Sequence, residues 1–375
     1  MPDNMRRIIF AVTMLFLSLA VSAQKKEIHF EKLSLKEALA KAKSENKSVF
    51  VDCFTTWCIP CKQMEANVFT QDSVADFYNK NFINIKVDME KGEGPSVKKM
   101  YTIEAYPSYL VLDADGKIRN KFVGGMSAKD FIANASKGLT ANNDEANLNA
   151  RYEHGDRTPE LMRAYIKQKL KVMEKSRAKE LNNELMASLT PEQKASPENW
   201  FLFGENRYTM YLSDFSSPNF EYLAEHWRDF VAKNTKDTVD KKLSSVYRQI
   251  ASWTLNGFYA KVKPFNKKDY ERYKTQIRNT EMPDKKQLLV MMDIAIAAGE
   301  KNIDEVTDLF LKNLGSFSEA NRHILFDYVT FARTIKGYTF PKIAVLSDEI
   351  TRTSGNPYLV SLFKSMKERY VQKAN

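Results

Sequence analysis

Short apolar runs alternate with amphipathic stretches between residues 24 and 140. The runs "SVFVDCF" and "FINIKVDM" are continuous and rich in β-branched residues, which is typical of strands buried on both faces. The stretch "SLKEALAKAKSEN" has apolar residues at helical spacing instead, and it opens with Ser34 and Glu37, the residues of a capping box. The pattern therefore predicts buried strands joined by helices.

The end of this region predicts a hairpin followed by a helix. The segment "SYLVLDADGKIRNKFVGG" contains two strand-like runs around Asp115-Gly116, a favoured hairpin turn. "SAKDFIANASKGL" then predicts a closing helix that stops near Gly138. With "EIHF" as an opening strand, the order is βαβαβαββα. This order predicts an α/β fold, a mixed sheet with helices on both faces.

After a polar segment that begins at Thr140, the pattern is helical and is interrupted by proline and glycine. Helix pairs of roughly 35–45 residues predict an all-α domain of helical hairpins, similar to a solenoid. No clean copy of the tetratricopeptide pattern is present. The predicted domains are 24–140 and 141–375.

The first residues predict a cleaved signal peptide, residues 1–23. Two arginines precede the uncharged run "IIFAVTMLFLSLA", and the small residues "VSA" follow it. The alternative is an N-terminal anchor, although the run is short for a membrane span. We expect an exported mature chain without an integral membrane segment, located in the periplasm of a Gram-negative cell and secreted otherwise.

Composition and charge narrow the range of functions. The chain has 375 residues and a formal net charge of +10, and its lysines are spread among acidic residues without a block of like charge. Nucleic-acid binding is not expected, because it needs a clustered basic patch or a reading motif. No metal, nucleotide or flavin motif is present, so no cofactor is expected.

All three cysteines, Cys53, Cys58 and Cys61, lie within "DCFTTWCIPCKQME". A structural zinc site would need four ligands, and the histidines show no ligand spacing. A purely structural disulfide between Cys58 and Cys61 would close too small a loop to stabilise much. A redox-active pair fits better. Cys58 follows a buried strand and opens a helix, where free N–H groups favour a thiolate.

The motif within its frame of strands and helices resembles the thioredoxin superfamily over about residues 26–140. The matching residues are Trp57, Cys58, Pro60, Cys61 and Lys62. The resemblance implies that Cys58 attacks a disulfide and that Cys61 resolves the intermediate. It also implies that Trp57 shields the pair and takes part in substrate binding.

Further positions agree with the resemblance. Asp52 matches a buried acid beneath the disulfide that would relay a proton to the resolving thiol. Tyr106-Pro107 matches a cis-proline segment that faces the disulfide and pairs with substrate backbone. Gly124, followed by a second glycine, matches a position of close approach beside the active site.

The segment "CKQMEANVFTQDSV" resembles the C-terminal thioredoxin-like domain of the bacterial transmembrane disulfide reductase. That domain has an acid four residues after its second cysteine, and Glu65 occupies this place here. The resemblance implies that Glu65 is a second proton-handling residue. The dipeptide Ile59-Pro60 and the missing membrane domain depart from that relative, which leaves the direction of electron flow open.

Structural alternatives remain open for several of these residues. Asp52 could be held by nearby backbone in a purely structural role, and Glu65 could face water. Tyr106 could belong to the core. Cys53 is expected to be a small apolar residue of the core.

Two hypotheses of function follow. The first is an exported thiol–disulfide oxidoreductase that reduces or isomerises disulfides of extracytoplasmic proteins, with the helical domain binding clients or partners. Its partners would be proteins with disulfides or thiols and an unidentified redox partner. The alternative is a redox-sensitive binding or scaffold protein in which the α/β domain is mainly structural.

Overall fold

The computed structural model describes residues 26–140, 144–204, 209–335 and 341–371. The predicted signal peptide, residues 1–23, lies outside these ranges. The chain forms two compact units whose boundary lies between Leu181 and Asn182. The domain limits expected from the sequence, after residues 23 and 140, stay predictions.

The first unit contains a four-stranded sheet and the helices that surround it. The strands are β1 (Ser48–Phe54), β2 (Phe82–Asp88), β3 (Ser108–Leu112) and β4 (Ile118–Val123). The helices are α1 (Leu35–Glu45), α2 (Ile59–Asn67), α3 (Asp72–Asn81), α4 (Gly94–Met100), α5 (Ala128–Lys137), α6 (Asp144–Glu153), α7 (Pro159–Lys171) and the first half of α8 (Lys175–Ser188).

The strand order in the sheet is β2-β1-β3-β4. β1 pairs in parallel with β2 and antiparallel with β3. β3 and β4 form the predicted hairpin, in which the N–H of Gly116 donates to the carbonyl of Asp113 (3.0 Å) and Gly116 has a φ of 82°. The mixed sheet and the hairpin predicted from the sequence are therefore confirmed.

The predicted opening strand "EIHF" is wrong. Residues 27–30 form no strand. The backbone N–H groups of Ile28, of His29 and of Glu31, which follows the segment, donate to different parts of the chain instead of to one ladder. Ile28 donates to the carbonyl of Phe69 (2.9 Å) and His29 to the side chain of Asn79 (2.8 Å). Glu31 makes a single bond to the carbonyl of Asn84 in β2 (2.8 Å). A strand-like composition cannot reveal that the ladder partner is missing.

Two apolar clusters cover the two faces of the sheet. On one face, Val49, Val51 and Cys53 of β1 pack with α1 and α4. On the other, Phe50 of β1 packs with α2, α3 and α5 in a cluster rich in aromatic rings. Because side chains alternate along a strand, Asp52 lies on the same face as Phe50, the face that α2 covers.

The second unit is helical in its described residues, as predicted. Its helices after α8 are α9 (Pro191–Lys194), α10 (Pro218–Glu225), α11 (Trp227–Lys233), α12 (Lys236–Leu255), α13 (Tyr259–Val262), α14 (Lys267–Arg278), α15 (Lys285–Gly299), α16 (Ile303–Asn313), α17 (Glu319–Arg322), α18 (Ile324–Thr334), α19 (Pro341–Thr353) and α20 (Pro357–Val371). The long helix α12 packs against α15 and α18. A solenoid arrangement stays a prediction. Within the described ranges, no helix is long and apolar enough to cross a membrane.

Replacing Gly138 by alanine is expected to destabilise the first unit. A Cβ at this position, where α5 ends, would lie 2.5 Å from Cγ1 and 2.7 Å from Cβ of Val111. Val111 is fully buried in β3, so the strand or the helix must shift. Overpacking of this kind costs about 1–3 kcal/mol. Calorimetry of the full-length chain should show a lower melting temperature for Gly138→Ala.

The matched control is Gly125→Ala, because a Cβ there would meet no atom of the described residues within 4 Å. This control is expected to melt close to the wild-type temperature. Equal melting temperatures for both variants would contradict the proposed clash with Val111.

Candidate active site

The junction between β1 and α2 carries the cysteine pair. Cys58 is the N-cap residue of α2, and its sulfur accepts the N–H of Cys61 (3.1 Å). The two sulfurs form a disulfide, with the Cα atoms 5.3 Å apart. Both cysteines are buried, although the neighbouring residue Ile59 is 67% exposed. An N–H donor and the start of a helix both stabilise negative charge on the sulfur of Cys58 once the pair is reduced.

Asp52 is a buried carboxyl group in the centre of the sheet. It is only 3% exposed, and within the described chain its Oδ1 has no hydrogen-bond partner. Burial raises the pKa of Asp52 to about 7, because the charged form loses its hydration. The ammonium of Lys86 opposes this increase in pKa, and the carboxylate of Glu65 adds to it.

Lys86 connects the buried acid with the surface. It lies directly opposite Asp52 in the register of β1 and β2, so both side chains are on one face of the sheet. Its Nζ atom is 2.7 Å from Oε1 of Glu65, whose side chain is 60% exposed. Lys86 also lies 5.0 Å from the ring centroid of Phe54. Asp52, Lys86 and Glu65 thus place an acid, a lysine and a second acid in order from the sheet centre to solvent.

An open groove of about 430 Å³ lies beside the disulfide. Its lining residues are Trp57, Cys58, Ile59, Pro60, Glu104, Ala105 and Tyr106. The rings of Trp57 and Tyr106 meet edge to face, with their centroids 5.9 Å apart. The indole N–H of Trp57 donates to both carboxylate oxygens of Glu90, at 3.0 and 3.1 Å. The groove is therefore mainly apolar, and its largest ring is held by a carboxylate.

The peptide bond between Tyr106 and Pro107 is cis. The carbonyl of Pro107 accepts the N–H of Gly124 (2.9 Å), and Gly124 has a φ of 91°. Among the described residues, an added Cβ at Gly124 would meet no atom within 4 Å. Glycine is therefore favoured here by backbone conformation. The close approach implied by the resemblance is not made by the chain's own described atoms.

Cys53 faces the other side of β1. It is fully buried in the cluster beneath α1 and α4, and burial raises the pKa of its thiol. This placement agrees with its expected role as an apolar core residue.

The structure brings the predicted residues together around one strand-to-helix junction, and their roles in catalysis and binding stay predictions. Lys86 and Glu90 lie in the same region and are not among the site residues predicted from the sequence. A signal for Lys86 existed, because it is a lysine within the apolar run "FINIKVDM". In the described ranges, no three His, Cys, Asp or Glu side chains lie close enough to hold a metal ion.

Residues 35–138 match a family model described as a thioredoxin-like domain. Among curated proteins, the chloroplastic thioredoxin Y2 of Arabidopsis thaliana is 31% identical over 96 residues, which are 26% of this chain and 54% of that protein. The thiol:disulfide interchange protein DsbD of Colwellia psychrerythraea is 30% identical over 104 residues, or 26% of this chain and 17% of that protein. The chain thus spans about half, or less, of these relatives.

Two solved structures are also similar to this part of the chain. The first is a candidate disulphide-isomerase from Bacteroides thetaiotaomicron, 42% identical, with coverage of 32% of this chain and 99% of that one and a TM-score of 0.30. The second is the oxidised C-terminal domain of DsbD from Neisseria meningitidis, 28% identical, with coverage of 28% and 94% and a TM-score of 0.25.

The raised pKa of Asp52 predicts a specific dependence of stability on pH. Between about pH 4 and pH 7, the folded chain keeps a proton on Asp52 that the unfolded chain releases. The free energy of unfolding of the wild type should therefore fall as pH rises through this window, by up to about 1.4 kcal/mol per pH unit from this group. Asp52→Asn has no titrating group at this position. The difference in free energy of unfolding between Asp52→Asn and wild type should therefore increase in favour of the variant from pH 4 to pH 7.

The measurement is calorimetry of the oxidised full-length proteins at several values of pH. Asp115→Asn serves as the matched control, because it removes a carboxylate that is exposed in the hairpin turn. A stability difference between Asp52→Asn and wild type that stays constant from pH 4 to pH 8 would exclude a protonated Asp52 in the folded chain.

Proposed function

Residues 35–138 are a thioredoxin-like domain, and from this premise we propose that the chain is an exported thiol–disulfide oxidoreductase. Its Cys58–Cys61 pair reduces or isomerises disulfides of extracytoplasmic proteins. The observation that carries the proposal is the disulfide at the N-cap of α2, next to an open, mainly apolar groove. A disulfide that only stabilised the fold would need neither the helix terminus nor the groove.

The reaction begins with the reduced pair. The thiolate of Cys58 attacks one sulfur of a substrate disulfide, the substrate S–S bond breaks, and the second substrate sulfur leaves and takes up a proton. A mixed disulfide now joins Cys58 to the substrate. Cys61 loses its proton and attacks the sulfur of Cys58, which restores the Cys58–Cys61 disulfide and expels the substrate sulfur that Cys58 had attacked. That sulfur leaves as a thiolate and takes up a proton. Two electrons pass from the chain to the substrate.

Asp52 is the proposed proton acceptor for Cys61. It lies on the sheet face that α2 covers, and α2 carries Cys61. A carboxyl group with a pKa of about 7 can take up and release a proton near neutral pH, as a general base requires. The ammonium of Lys86 favours the charged form of Asp52. Glu65 is paired with Lys86 and is exposed to solvent.

The groove is the proposed docking site for substrate polypeptide. Trp57 is 61% exposed and Ile59 is exposed beside it, so two large apolar side chains face solvent at the disulfide. Surfaces of this kind favour apolar or partly unfolded segments. Tyr106 forms the opposite wall through its contact with Trp57.

Export and the role of the helical part belong to the same proposal. The apolar run before residue 24 supports export. All the residues assigned to the chemistry lie between Asp52 and Gly124, which leaves the helices of the second unit free to bind clients or a redox partner. A measured reduction potential near the oxidising end of the thioredoxin range would contradict the reductive direction.

The first test of the proposal is reduction of insulin by dithiothreitol, followed by turbidity. The wild-type chain should accelerate the reaction, and Cys58→Ser should lower the catalysed rate by at least about a hundredfold, because the attacking sulfur is lost. Cys53→Ala is the matched control and should retain the wild-type rate, since Cys53 lies on the other face of β1. Equal rates for wild type and Cys58→Ser would refute the oxidoreductase hypothesis and favour a redox-sensitive binding protein.

The second test traps the intermediate. In Cys61→Ser the mixed disulfide between Cys58 and the substrate cannot be resolved, so covalent complexes should accumulate in an extract of the cell envelope. Non-reducing electrophoresis and mass spectrometry would detect and identify them. The double variant that lacks both cysteines should trap nothing. Complexes of equal amount in the double variant would mean that the pair does not react with these proteins.

A further inference from the structure

Within the first unit, a buried group of charged side chains ties α7 and the segment before α8 to the sheet. The Nζ atom of Lys121 in β4 is 2.8 Å from Oε1 of Glu174, and the Nζ atom of Lys169 is 3.0 Å from Oε2 of the same residue. All three side chains are buried. A buried carboxylate between two ammonium groups holds its neighbours in place, because separating any one of them would leave a charge without compensation.

The same lysine holds the loop that leads to the groove. Lys121 donates to the carbonyls of Tyr101 (3.0 Å) and Thr102 (2.8 Å). Thr102 has a φ of 51°, a left-handed conformation that is unusual for a β-branched residue. A conformation of this kind persists only where the surroundings impose it. The hydrogen bonds from Lys121 are part of what imposes it.

A second contact reaches the groove itself. The carboxylate of Glu104 accepts the N–H of Lys175 (3.0 Å) and the N–H of Ser176 (3.3 Å), at the start of α8. A carboxylate at this position stabilises the end of a helix that carries free N–H groups. Glu104 also lines the groove, next to Ala105 and Tyr106.

We propose that residues 169–176 act as a clamp on the loop 101–106 and thereby set the affinity of the groove for polypeptide substrates. Glu174 is a positioning residue that acts through Lys121, and Glu104 joins the loop to α8. This inference rests on the proposed function, since it gives the helical segment a part in substrate docking. The chemistry of the cysteine pair itself does not depend on the clamp.

The test uses the full chain with Glu174→Gln and, as matched control, Glu160→Gln, which changes a 79% exposed glutamate of α7. Amide hydrogen exchange of residues 101–106 should become faster in Glu174→Gln alone. In insulin reduction its KM should rise by about tenfold with kcat within about twofold, the pattern of lost ground-state binding. The reaction of the reduced protein with 5,5′-dithiobis(2-nitrobenzoate), a small disulfide that needs only the Cys58 sulfur, should keep its wild-type rate.

A second pair of variants covers the case in which Glu174→Gln fails to fold. Glu104 is exposed, so Glu104→Ala should fold and should speed exchange of the loop amides by removing the acceptor for Lys175 and Ser176. Glu104→Gln keeps an oxygen acceptor and should show a smaller effect.

Unchanged exchange in both Glu174→Gln and Glu104→Ala would overturn the clamp. A parallel fall in Glu174→Gln of the insulin and small-disulfide reactions would mean general damage to the fold. Loop exchange in Glu104→Ala would then decide, and an unchanged rate there would overturn the clamp. If the wild type itself showed no cysteine-dependent reduction of insulin, the proposed function would be refuted. The inference that the clamp sets the affinity for substrates would be refuted with it. Hydrogen exchange would then still decide whether the loop is clamped.

Discussion

Strand β1 is paired on both sides, in parallel with β2 and antiparallel with β3. This central position fixes the direction in which the chain leaves the sheet, and with it the place where α2 begins. Cys58 becomes an N-cap residue and Cys61 lies in the first turn of the helix because the strand ends just before them. The alternation of side chains along β1 then places Asp52 on the face beneath α2 and Cys53 on the other.

Burial of charge is the second constraint on the fold. Asp52 and Lys86 lie opposite each other on neighbouring strands, and Lys121 and Glu174 meet at the other side of the sheet. Burial of Asp52 and of the Lys121–Glu174 pair costs hydration free energy, which a close partner of opposite charge can offset. The first pair serves the proposed proton transfer, and the second joins the sheet to the segment between α7 and α8 of the same unit. The sheet therefore holds a buried acid with a lysine opposite it near the cysteines, and a buried ion pair that joins β4 to the segment between α7 and α8.

The sequence predicted most of the fold around the site because local signals were strong there. The apolar runs of β1 and β2, the Asp115-Gly116 turn and the capping box at Ser34 each predict an element without knowledge of the rest of the chain. The "EIHF" strand failed because strand formation depends on a partner. Cys58 and Cys61 could be found from their spacing together with Trp57, Lys62 and the strand and helix around them.

The features that the sequence did not predict depend on contacts between residues that are distant in sequence. Lys121 lies in "IRNKFV", an edge strand whose charged residues are expected to face water, and its burial depends on Glu174 more than fifty residues later. The position of Lys86 opposite Asp52 follows only from the register between β1 and β2. Neither relation can be derived from local pattern, since register and helix packing are properties of the assembled sheet.

The placement of Cys53 makes the chain an internal reporter of its own folding. Once the pair is reduced, the sulfur of Cys58 borders the open groove, whereas Cys53 is fully enclosed beneath α1 and α4. Alkylation of Cys53 therefore reports that the sheet has opened, because its thiol is exposed only then. A mass spectrum can count the opened molecules in a population, without any introduced label and with the chain's own cysteines as the only probe.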